Sequence, residues 1–175
     1  MIKTKQQIIA ELGDSFNSLA DICTQVKHEH FNISNDGKWS AGENIQHLVN
    51  ATKMTNVAFN VPKFVHVLLY GKPGRTSHSC SKVIDNYQKQ LEHGAKASGP
   101  YIPKKRDYQR ELLQQRIKVQ GDKLIASINN KWTEEQLDKY VIKHPILGLL
   151  TLRELAYFTI YHNGHHIDTI KRYYL

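Results

Sequence analysis

The residues with the clearest chemical potential are two histidines near the C-terminus, His162 and His166. They lie in residues 151–175, where apolar residues recur at steps of three and four, which predicts one helix. Thr151 and Glu154 have the spacing of a capping box and mark the start of that helix. Both imidazoles then fall within the apolar stripe, one turn apart, where together they can bind a single cation.

A third histidine, His47, falls on the apolar side of another predicted helix, which opens with the capping pair Ser40 and Glu43. The residues on the polar side of this helix are Gln46, Lys53, Asn56 and Asn60, and those on the apolar side with His47 are Ala51, Met54, Ala58 and Val61. Three polar rings in one core cost about 1–3 kcal/mol each if they are unsatisfied, and a shared metal ion would remove that cost. The alternative is that each ring is a core residue with its own hydrogen-bond partner, and the pattern leaves both interpretations open.

His165 and Glu43, which lie close to the candidate histidines in the sequence, are weaker candidates for metal binding. His165 points about 100° away from His166 on a helix, so we expect it to line the pocket. Glu43 lies one turn before His47 and could either bind the ion or only complete the cap, and the cap is favoured. No Ser–His–Asp or Cys–His pattern of a nucleophilic enzyme is evident, so a metal ion would carry the chemistry.

The periodicity that surrounds these histidines predicts an all-α fold. Helices are predicted at residues 4–30, 40–70 with a bend at Pro62, 80–93, 107–129, 133–138 and 151–175. Four of them are long and have an apolar face, and the shorter ones lie in the connections. We therefore expect a four-helix bundle that forms a single domain over residues 1–175. Apart from a short extended piece at 140–142, no strand pattern is convincing.

Composition narrows the class of protein. The chain has 175 residues, 40% of them apolar, and a formal charge of +8, which is typical of a basic globular protein. No helix-turn-helix or RNA-binding motif accompanies the charge, which argues against a nucleic-acid partner. No apolar stretch reaches the roughly 18 residues of a membrane span, and no signal-peptide core is present. Two cysteines without a CxxC motif fit a reducing environment, so we expect a cytoplasmic protein.

Two segments resemble the signatures of the DinB/YfiT-like superfamily. One is WSAGENIQHL, which contains His47, and the other is HPILGLLTLRELAYFTIYHNGHHIDTI, which ends in an H-x-x-x-H pair. The resemblance implies a four-helix bundle of unusual topology, a divalent metal ion bound by three histidines and, in many members, a homodimer. Carried over by position, the ligands are His47, His162 and His166. The glutamine more usual after the last histidines is replaced here by Asp168-Thr169, so inferences about substrate from that region do not carry over.

The resemblance also implies a class of function. Members are usually described as metal-dependent hydrolases, and those with known chemistry include S-transferases and isomerases that use low-molecular-weight thiols, so a small-molecule substrate is expected. The ion could be Zn, Ni, Fe or Mn, because imidazole binds several divalent metals and availability decides among them. The alternative is a non-catalytic helical bundle that binds a small molecule or a protein partner.

Overall fold

The computed structural model describes residues 3–175 and confirms the predicted all-α class. The helices are α1 (Lys5–Gln25), α2 (Ala41–Asn60), α3 (Lys63–Tyr70), α4 (Cys80–Glu92), α5 (Arg110–Lys131), α6 (Gln136–Lys139) and α7 (Leu152–Tyr174). Short 3-10 turns occupy His28–His30 and Gly99–Tyr101. In the described part of the chain, no helix combines the length and apolar character that a membrane crossing needs.

The four long helices α1, α2, α5 and α7 form the bundle. Helix α1 packs between α5 and α7, and so does α2, which leaves α1 and α2 on one diagonal and α5 and α7 on the other. Gly121 permits the close approach of α1 and α5, since a Cβ at this position would lie 2.5 Å from the Phe16 ring. This arrangement brings α2 alongside α7, which are the two helices that carry the predicted metal ligands.

Two of the predicted helix boundaries differ most from the structure. The first helix ends at Gln25, five residues earlier than predicted, because Val26 is extended and a 3-10 turn follows. The predicted bend at Pro62 is a complete break, since Val61 and Pro62 are both extended and α3 starts afresh at Lys63. Proline removes a helical N–H and disfavours helical geometry in the residue before it, which accounts for the break.

The segment before α7 is a β-hairpin, where the sequence indicated only a short extended piece. Strand β1 (Val141–His144) pairs antiparallel with β2 (Gly148–Thr151), with Val141 opposite Thr151 and His144 opposite Gly148. Gly148 has a φ of +71°, a conformation that favours glycine at the end of the turn. The strands are too short, at four residues each, for a pattern of alternating polarity to be recognised in the sequence.

The side of α2 that was predicted to be polar is partly buried, and one residue of its predicted apolar side is exposed. Asn56 is buried and donates to the backbone carbonyl of Gln120 at 2.9 Å, while Asn60 donates to Ser127 Oγ at 2.9 Å. Part of the supposedly polar side therefore packs against α5 through the amides of Asn56 and Asn60. Met54, predicted to be apolar core, is 39% exposed. A helical wheel reports polarity alone and cannot anticipate partners that satisfy polar groups inside the bundle.

Buried ionic contacts hold the start of α7 in place. Arg153, which is 1% exposed, donates to both carboxylate oxygens of Asp138 at 2.7 and 2.9 Å and to Glu134 at 2.6 Å. Glu154 accepts two bonds from Arg75, at 2.5 and 2.9 Å, in addition to capping Thr151 N at 2.8 Å. These contacts fix the position of the helix that presents two of the three histidines.

Candidate metal centre

The bundle brings His47, His162 and His166 together in its interior. The Nε2 atom of His162 lies 3.2 Å from Nε2 of His47 and 3.1 Å from Nε2 of His166. All three side chains are buried, and together they form a group whose ligand atoms could hold a metal ion. Helix α7 supplies two rings from successive turns, and α2 supplies the third from the facing helix.

The outer nitrogens of two rings have partners that set the direction of the inner ones. His47 Nδ1 lies 2.7 Å from the backbone carbonyl of Tyr101, and His166 Nδ1 lies 2.7 Å from Asn44 Oδ1. The Asn44 amide nitrogen donates to the carbonyls of Trp39 and Ser40, both at 2.9 Å, so its oxygen must be the atom that faces His166. Since both acceptors require an Nδ1 proton, the Nε2 atoms of His47 and His166 carry lone pairs.

The donor set fits a divalent metal ion. A neutral His162 has at most one Nε2 proton, which can serve only one of its two close neighbours, so one lone pair faces another nitrogen without a hydrogen between them. A cation among the three rings removes that conflict. Nitrogen ligands about 2.0–2.1 Å from zinc stand about 3.3–3.4 Å apart in a tetrahedron, close to the two separations that involve His162. Three neutral imidazoles suit Zn, Ni or Fe(II) and leave coordination positions open.

Burial keeps these imidazoles neutral. It lowers the pKa of His47, and it lowers the pKa of His162 and His166 well below the ordinary value, with repulsion between neighbouring histidines adding to the effect. A neutral imidazole is the form that binds a metal ion, so little free energy is needed to deprotonate these ligands near neutral pH.

A cavity of about 160 Å³ opens beside the three histidines. The loop that follows α4 forms one wall of this cavity through residues 95–98 and Tyr101, so this long connection reaches the site directly. Trp39 lies on another side, with its ring centroid 5.0 Å from that of His47. Among the described residues that line the cavity, Lys96 is the only one with a formal charge and none is acidic.

The weaker candidates have different positions. His165 lines the cavity outside the metal-ligand group, in agreement with the pocket-lining role that we expected. Glu43 completes the cap, since its Oε2 accepts from Ser40 N at 2.8 Å, and it does not belong to the metal-ligand group.

Sequence reasoning missed Asn44 and His144. Asn44 sits within the WSAGENIQHL segment one turn after Ser40, and an asparagine inside a predicted helix, three residues before a candidate ligand, was the available signal. His144 Nδ1 accepts from the backbone N–H groups of Ile146 and Leu147 at 3.2 and 3.1 Å, so the neutral ring carries its proton on Nε2. Burial lowers the pKa of His144 to about 4, and the ring lines the cavity.

Comparison with known families agrees with this geometry. The family model of the DinB superfamily matches residues 7–170, which is nearly the whole chain. The chain belongs to the DinB superfamily. No curated protein and no solved structure gives a significant match. Family membership and the buried three-histidine group together fit a metal-binding helical protein, while the substrate has to be argued from the site itself.

Proposed function

We propose that this DinB-superfamily chain is a metal-dependent enzyme, with His47, His162 and His166 as the ligands of a divalent ion. The observation that carries the proposal is the convergence of three Nε2 atoms, two of which are held as lone-pair donors by bonds at Nδ1. The ion, when bound, supplies a Lewis acid that activates a water molecule or a low-molecular-weight thiol. The reaction class is therefore hydrolysis or thiol S-transfer to a small-molecule substrate.

The surrounding residues prepare the site for such a reaction. Tyr101 O and Asn44 orient two ligand rings, and burial keeps all three rings neutral. Three neutral ligands leave the full positive charge of a divalent ion uncompensated by the protein. Since the described cavity walls have no carboxylate, an anionic water- or thiol-derived group is favoured at the open positions.

Metal content provides the test. We expect the purified protein, incubated with Zn²⁺, Ni²⁺ or Mn²⁺ and then dialysed, to retain about one ion per chain. His47→Ala should lose that ion and keep its helical circular-dichroism spectrum. His93→Ala, at the exposed end of α4, is the matched control and should retain it. Unchanged metal occupancy in His47→Ala would reject His47 as a ligand.

A second candidate function is non-catalytic binding of a small molecule at the same centre. The observation that favours it is the lack of Asp or Glu among the described residues of the cavity, which leaves no carboxylate to act as general base. Screens for ester or amide hydrolysis and for thiol conjugation, run on the metal-loaded protein, distinguish the two. Turnover that disappears in His47→Ala supports the enzyme, and ligand binding without turnover in either screen supports the binding protein.

We also propose that the chain forms a homodimer in the cytoplasm. Helix α3 exposes a run of apolar side chains, of which Phe64 is 70% and Leu68 78% exposed, and such a surface favours association. Cys23 and Cys80 are both free, which fits a reducing compartment. Light scattering should give twice the chain mass, and Phe64→Glu with Leu68→Glu should give a monomer. A monomeric wild type at tens of micromolar would contradict the dimer.

A further inference from the structure

A second cavity, of about 180 Å³, adjoins the one beside the histidines. The two cavities share five lining residues: Ala51, Tyr101, His144, Pro145 and Phe158. Ala51 lies one turn after His47 on α2, and Phe158 lies one turn before His162 on α7. The Phe158 ring stacks on His162 with centroids 4.9 Å apart and planes at 21°. The boundary between the cavities is therefore one helical turn from two of the proposed ligands.

The walls of this second cavity are mostly apolar. They include the side of α2 that the sequence assigned to the core, together with residues of α3 and β1. The apolar residues that line only this cavity are Met54, Val57, Ala58, Val61, Val65, Leu69, Ile142 and Leu155. Among the described lining residues none is acidic, and the one formal charge belongs to Lys143, which is exposed. Such a surface binds hydrocarbon and offers little to a sugar or a nucleotide.

The volume gives a scale for what can enter, although the cavity is open to solvent at Val57 and Leu69, which are 50% and 62% exposed. An apolar cavity of roughly 150 Å³ is sufficient to take up benzene. A cavity of about 180 Å³ therefore accommodates an aromatic ring or an alkyl chain of similar size. On the α2 side the boundary consists only of the Ala51 methyl group, and Ala58 lies two turns further along the same wall.

We propose that the second cavity binds the hydrocarbon part of an amphiphilic substrate whose polar, metal-binding group sits at the three histidines. The substrate class is a small anionic or ionisable head joined to a short alkyl or aromatic tail. This inference rests on the proposed function, since the head requires the metal centre. It goes further by assigning a site for the tail and by setting its size.

The test uses a series of straight-chain alkyl hydroxamic acids, from acetohydroxamic to octanohydroxamic acid, whose head group chelates divalent metals. Binding to the Zn²⁺-loaded full chain is measured by titration calorimetry, with retained zinc determined afterwards. We expect affinity to rise about fourfold for each added methylene. The rise should stop near roughly six carbons, when the cavity is full. Equal affinity along the series, with zinc retained, overturns the inference and leaves the proposed function intact.

Ala58→Phe tests the location of the tail by filling the cavity from α2. We expect it to bind acetohydroxamic acid as the wild type does and to lose the gain from longer chains. Ala126→Phe, on the exposed face of α5, is the matched control and should preserve the full chain-length dependence. If Ala58→Phe does not fold, the wild-type series alone decides. A wild type that retains none of Zn²⁺, Ni²⁺ and Mn²⁺ rejects the proposed function and this inference together, whereas equal affinities with the metal retained reject this inference alone.

Discussion

The buried histidine His66 and the buried group of His47, His162 and His166 differ in the groups that their ring nitrogens face. His66 is fully buried between α3 and β1, and its two ring nitrogens face backbone carbonyls, Val141 O at 3.1 Å and Ala58 O at 3.0 Å. His47, His162 and His166 are also buried, but their Nε2 atoms face one another. A neutral ring at His66 donates to one of these two carbonyls, whereas the Nε2 atoms of the three other rings are directed at one another.

The comparison shows that burial does not identify a metal ligand. All four rings are excluded from solvent and all four lie on helices with apolar neighbours. The distinguishing property is the direction of the ring nitrogens, which depends on the groups at the other side of each ring. Asn44 and Tyr101 O direct two of the three rings inward, while both nitrogens of His66 point at backbone carbonyls and neither points at another imidazole.

The largest effect should come from His162→Ala, because His162 contacts both other Nε2 atoms. At a metal concentration 1,000 times the dissociation constant, an ion should stabilise the wild type by about 4 kcal/mol, and the variant should lose this metal-dependent part. Urea unfolding with and without Zn²⁺ measures it. Equal stabilisation of both proteins by Zn²⁺ would place the ion elsewhere.

His66→Leu should have the opposite signature. It leaves one of the two carbonyls, Val141 O or Ala58 O, without its donor, at about 1–3 kcal/mol, so the free energy of unfolding should fall by about 1–3 kcal/mol. Zinc content of the folded variant should remain at the wild-type level. Loss of zinc with unchanged stability in urea would mean that His66 serves metal binding and not the stability of the fold.

Asn44→Ala should weaken metal binding without removing it. The substitution deletes the acceptor that orients His166, and loss of such a partner typically costs about 10–100-fold in metal affinity. Competition with a fluorescent chelator measures the change. Asn50→Ala is the matched control on the same helix, since the Asn50 side-chain oxygen accepts from Gln46 at 2.7 Å and should leave affinity unchanged. Equal losses in both variants would indicate a general effect on α2.

The smallest effect on stability should come from His144. Its Nδ1 atom accepts hydrogen bonds from two backbone N–H groups. Burial lowers its pKa from 6.5 to about 4, so between these values the unfolded chain binds more protons than the folded one. Stability from this group is therefore complete above pH 6.5 and declines as pH falls, by about 1 kcal/mol at pH 5.5. His144→Asn keeps an acceptor for the Ile146 and Leu147 amides and removes the titration.

Metal-free urea unfolding at pH 7.5 and 5.5 measures this difference. The wild type should lose about 1 kcal/mol more than His144→Asn between the two values, since the other residues are the same in both proteins. The same pH dependence in both would show that His144 does not contribute.

Most of the helical framework could be predicted from local sequence. The capping boxes at Ser40 and Thr151 both form with their predicted glutamates, because a cap involves residues only three positions apart. The hairpin 141–151 was not predicted, since its pairing depends on a turn and on short strands that carry no strong pattern. The predicted faces of α2 were wrong in part, since Asn56 is buried and finds its partner Gln120 on another helix, while His47 is buried and Lys53 exposed as predicted.

The sequence by itself determined that His162 and His166 would share one face, because helical geometry alone sets that relationship. It also placed His47 on the second helix and indicated the family, which the family match confirms. Only the tertiary structure brought the third ring to within 3.2 Å of His162 and separated these histidines from His66. The reason is that ring direction depends on Asn44, Tyr101 O and Val141 O, hydrogen-bond partners whose positions the fold decides.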